Sequence, residues 1–296
     1  MDKRKIILVI PYRGIGDLIF HLPLVRGLYE KYRSKLIIIT NSVNKAKFLL
    51  KKEVSIKKVE YINFEREDQI KKSLLFLKKI NSYKADMCIL TAPTKRLIIP
   101  LLISNAKKKF FFKKNKIKDL SKYIRNESAN IFKNIKFKKK YDLILNSSRV
   151  FNKIFFLSID SHHNQNNWNE NNFIRLTEKL LSFKKTKKIY INFSPNKLRK
   201  FKKIFKKFNK NKKVLFTYKN KFNEIIQIIN KSSYIIGNES GPACLGASMG
   251  KKVFSIYNPK HTPNLSSKII NKNIKYFNSN RLMPEKIIKK LLNKVY

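Results

Sequence analysis

Short apolar runs separated by amphipathic stretches recur along the whole 296-residue chain, and that alternation admits few folds. Ile6 to Ile10 is a continuous apolar run, as expected of a strand covered on both faces. A turn carrying Gly14 and Gly16 follows, then a helical stretch through Ile19, Leu22, Val25, Leu28 and Tyr29. Strands are expected over residues 36–40, 59–64 and 85–91, with helices over 43–50 and 68–81. The rhythm restarts with a strand over 154–159. Helices over 171–183, 197–208, 222–231 and 241–249 then alternate with strands over 188–193, 213–217, 234–237 and 252–257. A helix over 284–296 closes the chain, with Pro284 suited to its first turn. The fold class is α/β: mostly parallel sheets with helices on both faces. The restart places a boundary near residue 150, giving domains over 1–150 and 151–296, with the last helix able to pack back on the first domain. Two such halves set a cleft between the carboxyl ends of their strands, where open α/β sheets bind ligands.

Composition excludes several classes. Hydrophobic residues make up 43% and aromatics 12%, too many for wholesale disorder. The two cysteines, Cys88 and Cys244, sit in apolar contexts and read as packed, reduced thiols of a cytosolic protein. The longest apolar stretch, residues 97–103, is interrupted by Pro100 and is far too short to span a bilayer. The N-terminal run is likewise too short for a signal-peptide core. The chain is therefore expected to be cytoplasmic, with a peripheral site on the inner face of the cytoplasmic membrane as the extension of that reading.

Charge is the outlier. Sixty-eight Lys and Arg against eighteen Asp and Glu give +50, which favours anionic partners. Lys, Asn, Ile, Phe and Tyr are abundant together and share AT-rich codons, so compositional drift accounts for much of the lysine. Residues 107–140 carry fourteen Lys or Arg against Asp119 and Glu127. That stretch reads as a lysine-covered connection holding one strand and one helix, or else as a patch facing lipid or a polyanionic acceptor.

Two loops carry candidate chemistry. The first, Tyr12-Arg13-Gly14-Ile15-Gly16-Asp17, joins the first strand to the first helix. Gly14 and Gly16 permit a tight turn, but the third glycine of a dinucleotide fingerprint is missing. Asp17 either complements the helix dipole or accepts a proton from a hydroxyl nucleophile. The second loop runs through Asn238, Glu239, Ser240, Gly241 and Pro242 into Ala243, Cys244, Leu245, Gly246 and Ala247. Ser240 is a natural N-cap, Gly-Pro starts the helix, and small residues let it pack closely on the sheet. Its first N–H groups suit a phosphate, with Glu239 placed to accept sugar or ribose hydroxyls.

These residues resemble glycosyltransferase family 9, which includes the lipopolysaccharide heptosyltransferases. The opening strand with Gly14-Ile15-Gly16-Asp17, then Pro23 and Leu28, is similar to the family's start, and residues 235–250 resemble its second signature. The resemblance implies a GT-B fold of two Rossmann-like domains facing each other across a cleft, the first on the acceptor side and the second binding the nucleotide sugar. It implies an inverting, metal-independent transfer of a heptose-like sugar to a lipopolysaccharide or other surface glycan, with Asp17 as the base. The donor, ADP-linked in the heptosyltransferases, is a substrate, and no cofactor is expected. Partners are then that donor, a glycolipid or oligosaccharide acceptor and an anionic membrane surface, with nucleic acid disfavoured.

Three positions depart from the family pattern. Glu239 stands where Asp is usual, Cys244 where His is usual, and Asn166 where a Lys commonly precedes Trp168 by two residues. That lysine would contact donor phosphate; His162, His163 and Lys260 are the candidates to replace it. Lys197 falls near a ribose-binding Glu of many members. Ser194, in Ser194-Pro195-Asn196 at a strand end, is a candidate for the nucleotide pocket, and His261 for the donor. His21 reads as packing or cleft lining. His162-His163 fits no metal motif, and no metal site is expected. Two rivals remain: a non-enzymatic basic protein binding nucleic acid or anionic membrane, and a degenerate transferase fold that binds donor without turnover.

Overall fold

The computed structural model describes residues 4–64, 69–113, 119–137, 141–144, 153–161, 168–258, 270, 275–278 and 284–295. The chain divides into two compact units, Met1–Leu145 and Asn146–Tyr296.

In the first unit, β1 (Ile6–Ile10), β2 (Leu36–Thr40), β3 (Ile56–Tyr61), β4 (Met87–Leu90) and β5 (Lys108–Phe111) form one parallel sheet in the order β3-β2-β1-β4-β5. Every residue of β1, β2 and β4 is buried, which is why these strands read as apolar runs, broken only by Thr40 at the end of β2. The helices are α1 (Ile15–Phe20), α2 (Leu22–Tyr32), α3 (Ala46–Leu49), α4 (Gln69–Tyr83), α5 (Lys95–Ile103) and α6 (Leu120–Ile131). Phe76, Ile80, Leu97 and Leu101 of α4 and α5 join Ile7, Val9, Ile37, Ile39, Cys88 and Leu90 in one core cluster.

In the second unit, β6 (Ile154–Ser158), β7 (Lys188–Asn192), β8 (Val214–Phe216), β9 (Tyr234–Asn238), β10 (Lys252–Tyr257) and β11 (Lys275–Asn278) form a parallel sheet ordered β11-β10-β9-β6-β7-β8. Its helices are α7 (Glu170–Ser182), α8 (Lys202–Phe208), α9 (Phe222–Lys231), α10 (Gly241–Ser248) and α11 (Pro284–Val295). Ile288 and Leu291 of that last helix lie in the second unit's core. Both sheets reverse strand order beside their first strand, at β1/β4 and β6/β9, and so have the same switch-point topology.

The structure differs from the sequence reading in several places. The first helix is two helices, because His21 ends α1 and its αR backbone starts α2 with Pro23 in the first turn. The third strand lies at Ile56–Tyr61, earlier than residues 59–64, and its exposed Lys57 and Lys58 break the apolar pattern that marked it. The helix expected from residue 197 starts only at Lys202, after a 3₁₀ turn over Pro195–Lys197 and a further turn over 198–201. The strand β11 was not foreseen, since Lys275-Tyr276-Phe277-Asn278 is a short run at the sheet edge. The basic stretch is more than a connection: α6 buries Tyr123, Ile124, Glu127 and Ser128, and Glu127 accepts the Lys113 amide at 2.6 Å.

Two glycines set the spacing of the second unit. A Cβ at Gly237 would fall 2.0 Å from the Ser158 carbonyl oxygen on neighbouring β6, and one at Gly246 would fall 2.1 Å from Ile235 Cδ1. The first obstacle is backbone and cannot turn aside. Gly237→Ala is therefore expected to cost about 2 kcal/mol or more. Urea denaturation should show a lower midpoint with an unchanged slope, and a wild-type midpoint would rule out this close approach.

Candidate active site

In the first unit, β1 delivers the chain through Pro11, Tyr12 and Arg13 to Gly14, the N-cap of α1. The Gly14 amide donates to Asp17 Oδ2 at 3.1 Å, so the carboxylate curls back over the first turn. A Cβ on residue 14 would lie 2.6 Å from that oxygen, so a side chain there would push the carboxylate aside. Gly16, expected to shape the loop, instead lies inside α1. Asp17 is half-buried, and burial raises its proton affinity against the opposing pull of the Gly14 N–H.

Behind Asp17 sits a buried polar brace. His21 is fully buried, with Nδ1 2.7 Å from the Asp17 carbonyl oxygen and Nε2 3.1 Å from Thr91 Oγ1. A carbonyl only accepts, so Nδ1 carries the proton, while Nε2 lies beside the Thr91 hydroxyl. The Val9 carbonyl accepts both that hydroxyl at 3.0 Å and the Thr91 amide at 3.1 Å. Tyr12 completes the brace: its hydroxyl donates to the Thr91 carbonyl at 3.3 Å, and its ring lies 5.4 Å from that of His21. Burial, then the fields of Tyr123 and Asp17, push the Tyr12 phenol well above its usual range, so it stays neutral. The brace thus ties the ends of β1 and β4, the two strands at the switch point. The sequence reading missed Tyr12 and Thr91; the available signal was a polar residue directly after an apolar strand.

The second unit gathers its polar groups at the carboxyl ends of β6, β7, β9 and β10. Asn238 is fully buried; its amide donates to the Ile159 carbonyl at 2.8 Å, and its oxygen accepts the Trp168 amide at 2.8 Å. It holds the start and end of the segment after β6 in place. Glu239 is buried, receives the Ser255 hydroxyl at Oε2, and continues the ladder to the Ile256 carbonyl. Ser240 occupies the N-cap position of α10, but its hydroxyl pairs with Ser158 Oγ at 3.0 Å and makes no cap. The first-turn amides of Gly241 and Ala243 therefore keep no side-chain cap, and Pro242 has no amide to cap. Cys244 is buried in α10, and Cys88 is buried in β4.

Ser194 is met by an aspartate that the sequence reading did not single out. Asp160 Oδ2 accepts the Ser194 hydroxyl at 2.8 Å and its amide at 3.3 Å. Its other oxygen is buried with no hydrogen-bond partner among the described residues. Asp160 follows the end of β6 by two residues. His162, His163, Asn166, Lys260 and His261 lie outside the described residues. Among the described residues, no group of three or more His, Cys, Asp or Glu side chains could hold a metal ion.

Residues 120–295 match the family model for Glycosyltransferase family 9 (heptosyltransferase). The chain belongs to glycosyltransferase family 9. The match takes in most of the second unit, including Glu239 to Pro242, whereas Asp17 lies before it. No curated protein sequence matches the chain significantly. Solved structures agree in fold across nearly its whole length. A family 9 glycosyl transferase from Veillonella parvula DSM 2008 is 14% identical with a TM-score of 0.77, over 100% of this chain and 90% of that one. The E. coli ADP-heptose lps heptosyltransferase II is 10% identical with a TM-score of 0.75, over 98% of each chain. The E. coli heptosyltransferase WaaC with ADP is 13% identical with a TM-score of 0.71, over 99% of this chain and 100% of that one. This family 9 chain is a glycosyltransferase with the GT-B fold of two Rossmann-like units.

His21 gives the brace a pH signature. Burial pushes its pKa down to about 4 from the ordinary 6.5, so the unfolded chain takes up the proton first as pH falls. Stability is then full above 6.5 and declines toward pH 4, by about 3 kcal/mol from this group. Asp17, whose carboxyl is shifted upward, works in the opposite direction. His21→Asn keeps a donor for the Asp17 carbonyl and removes the imidazole. Its stability should fall less steeply than wild type over that window, and parallel pH profiles would show that His21 is not the buried neutral group.

Proposed function

We propose that this enzyme moves a heptose-like sugar from a nucleoside-diphosphate donor, ADP-linked, to a lipopolysaccharide or surface-glycan acceptor, with inversion and without a metal. The observation that carries the reading is Asp17: a half-buried carboxylate of raised proton affinity, fixed by the Gly14 amide and braced from behind by His21. A base held this way is ready to take a hydroxyl proton without first reorganising. The first unit takes the acceptor and the second the donor.

In the reaction, Asp17 accepts the proton of the acceptor hydroxyl as that oxygen bonds to the anomeric carbon. The bond from that carbon to the donor's diphosphate oxygen breaks on the opposite face, and the nucleoside diphosphate leaves with the electron pair. Charge builds on the diphosphate, and the uncapped first-turn amides of α10 suit it. Glu239 and Asp160, both buried at strand ends, are acceptors for donor hydroxyls. The heptosyltransferase WaaC has been solved with ADP and with ADP-2-deoxy-2-fluoro heptose, which favours an adenosine diphosphate donor here. Asn238 acts at one remove, by holding the Trp168 and Ile159 backbone.

Asp17→Asn should lower turnover by roughly 10²–10⁴ while leaving folding and nucleotide binding intact. Steady-state assay beside calorimetric titration separates these, and wild-type-like turnover removes the base assignment. In the same titration, ADP should bind in preference to GDP, UDP and CMP at near-physiological salt. Glu239→Ala should weaken that binding roughly tenfold. Weak binding of all four nucleotides that vanishes with salt would mean that the surface lysines, rather than this loop, were responding. Selective binding by wild type without turnover on any acceptor would leave a donor binder in place of an enzyme.

A further inference from the structure

Large apolar side chains exposed to solvent are concentrated in one region of the first unit. Of the twelve among the described residues, Ile70, Leu74 and Leu75 lie on α4, and Ile99, Leu102 and Ile103 on α5. Phe111, 39% exposed on β5, is a seventh. The two helices are neighbours: the Ser73 hydroxyl on α4 donates to the Arg96 carbonyl on α5 at 3.0 Å. Both bury their inner faces in the same core cluster, so these exposed residues are a second, outward set. Spacing supports this, since 70 and 74, and likewise 99, 102 and 103, share helix faces. Edge strand β5 adjoins α5 through Lys109, whose ammonium donates to the Leu102 carbonyl at 2.7 Å.

The charge around this apolar set is one-sided. Residues 65–113 contain twelve Lys or Arg against Glu65, Glu67 and Asp68, just before α4, and Asp86, a clear positive excess. Asp86 is already engaged by Lys107 and by the Lys5 amide. Lys71, Lys78, Lys95, Lys107 and Lys108 are exposed. Lysine and exposed apolar content do not coincide everywhere: α8, with Lys202, Lys203 and Lys206 outward, buries its Ile204 and Phe208, and residues 43–54 expose only Val43, Phe48 and Val54 among their lysines. Apolar side chains of this size cost free energy in water, and a surrounding excess of positive charge disfavours a second copy carrying the same charge. An anionic bilayer interface satisfies both halves, taking the Ile and Leu side chains below the headgroups while the lysines meet lipid phosphates.

We propose that the outward face of α4 and α5, continued by Phe111, is the surface through which this protein rests on an anionic membrane. It deepens the proposed function by naming where the membrane partner is met, and rests on that reading only for the purpose of the docking. No helix among the described residues is long and apolar enough to cross a membrane, so contact here is with the interface.

The test is sedimentation of the full chain with vesicles of phosphatidylcholine, alone or with about one-third phosphatidylglycerol, at near-physiological salt. Wild type should partition onto the anionic vesicles. A combined Leu74→Ser, Ile99→Ser, Ile103→Ser variant should lose roughly tenfold or more of that affinity, with unchanged thermal unfolding because all three positions are exposed. A Lys202→Gln, Lys203→Gln, Lys206→Gln variant removes charge from α8 instead and should lose about twofold or less. Three results would each overturn the proposal: no wild-type binding, an apolar variant that binds like wild type, or a greater loss from the α8 variant. A wild-type dimer that the apolar substitutions convert to monomer would also overturn it and assign the face to a second copy. Calorimetric ADP binding on the same samples is the separate measure of the transferase reading, because these substitutions touch none of its residues.

Discussion

A parallel strand buried on both faces can carry polar chemistry only where its ladder ends. β1, β2, β4 and most of β6, β9 and β10 are wholly enclosed, and their interiors are Ile, Leu, Val and Phe with few exceptions. The polar groups collect one or two residues beyond: Tyr12, Asn41 and Thr91 in the first unit, and Asp160, Ser194 and Glu239 in the second. Parallel connectivity then brings the carboxyl ends of successive strands to the same edge of each sheet, so side chains far apart in sequence become neighbours. His21 meets Thr91 and Ser158 meets Ser240 for this reason alone.

The two readings of Asp17 turn out to be one arrangement. Its carboxylate caps the first turn of α1 through the Gly14 amide, as a dipole-complementing residue would. The same position is half-buried, and desolvation outweighs that hydrogen bond in setting its proton affinity. A fully solvated capping aspartate would be a weak base; this one is both fixed and shifted upward. At Ser240 the expected economy fails in the other direction. The hydroxyl that could have capped α10 is committed across the sheet to Ser158, which leaves the helix amides to another partner.

The net charge of +50 says little by itself about where anions are met. Lysine is spread over both units, and much of it forms local contacts of small consequence, such as Lys58 and Lys79 around Glu60. The largest set of exposed Ile and Leu among those lysines lies on α4 and α5, with a smaller one of Val43, Phe48 and Val54. Charge alone draws a protein toward any anion, whereas exposed Leu and Ile beside charge select an interface with an interior.

Alternating apolar runs determined the α/β class, the parallel sheets and most element positions, because burial on two faces leaves an unbroken signature in sequence. The glycine turn before Asp17 and the small-residue helix after Glu239 were legible too, since backbone approach at Gly237 and Gly246 tolerates no side chain. Elements with mixed exposure were displaced or missed: β3 carries exposed lysines, and β11 is a short edge strand. Tertiary structure alone decided which polar residues serve each other. Asp160 with Ser194, His21 with Thr91, and Asn238 with Trp168 are separated by 34, 70 and 70 residues. No local pattern encodes such pairs, because each is set by strand order and register, and by the cost of burying a donor or acceptor unpaired.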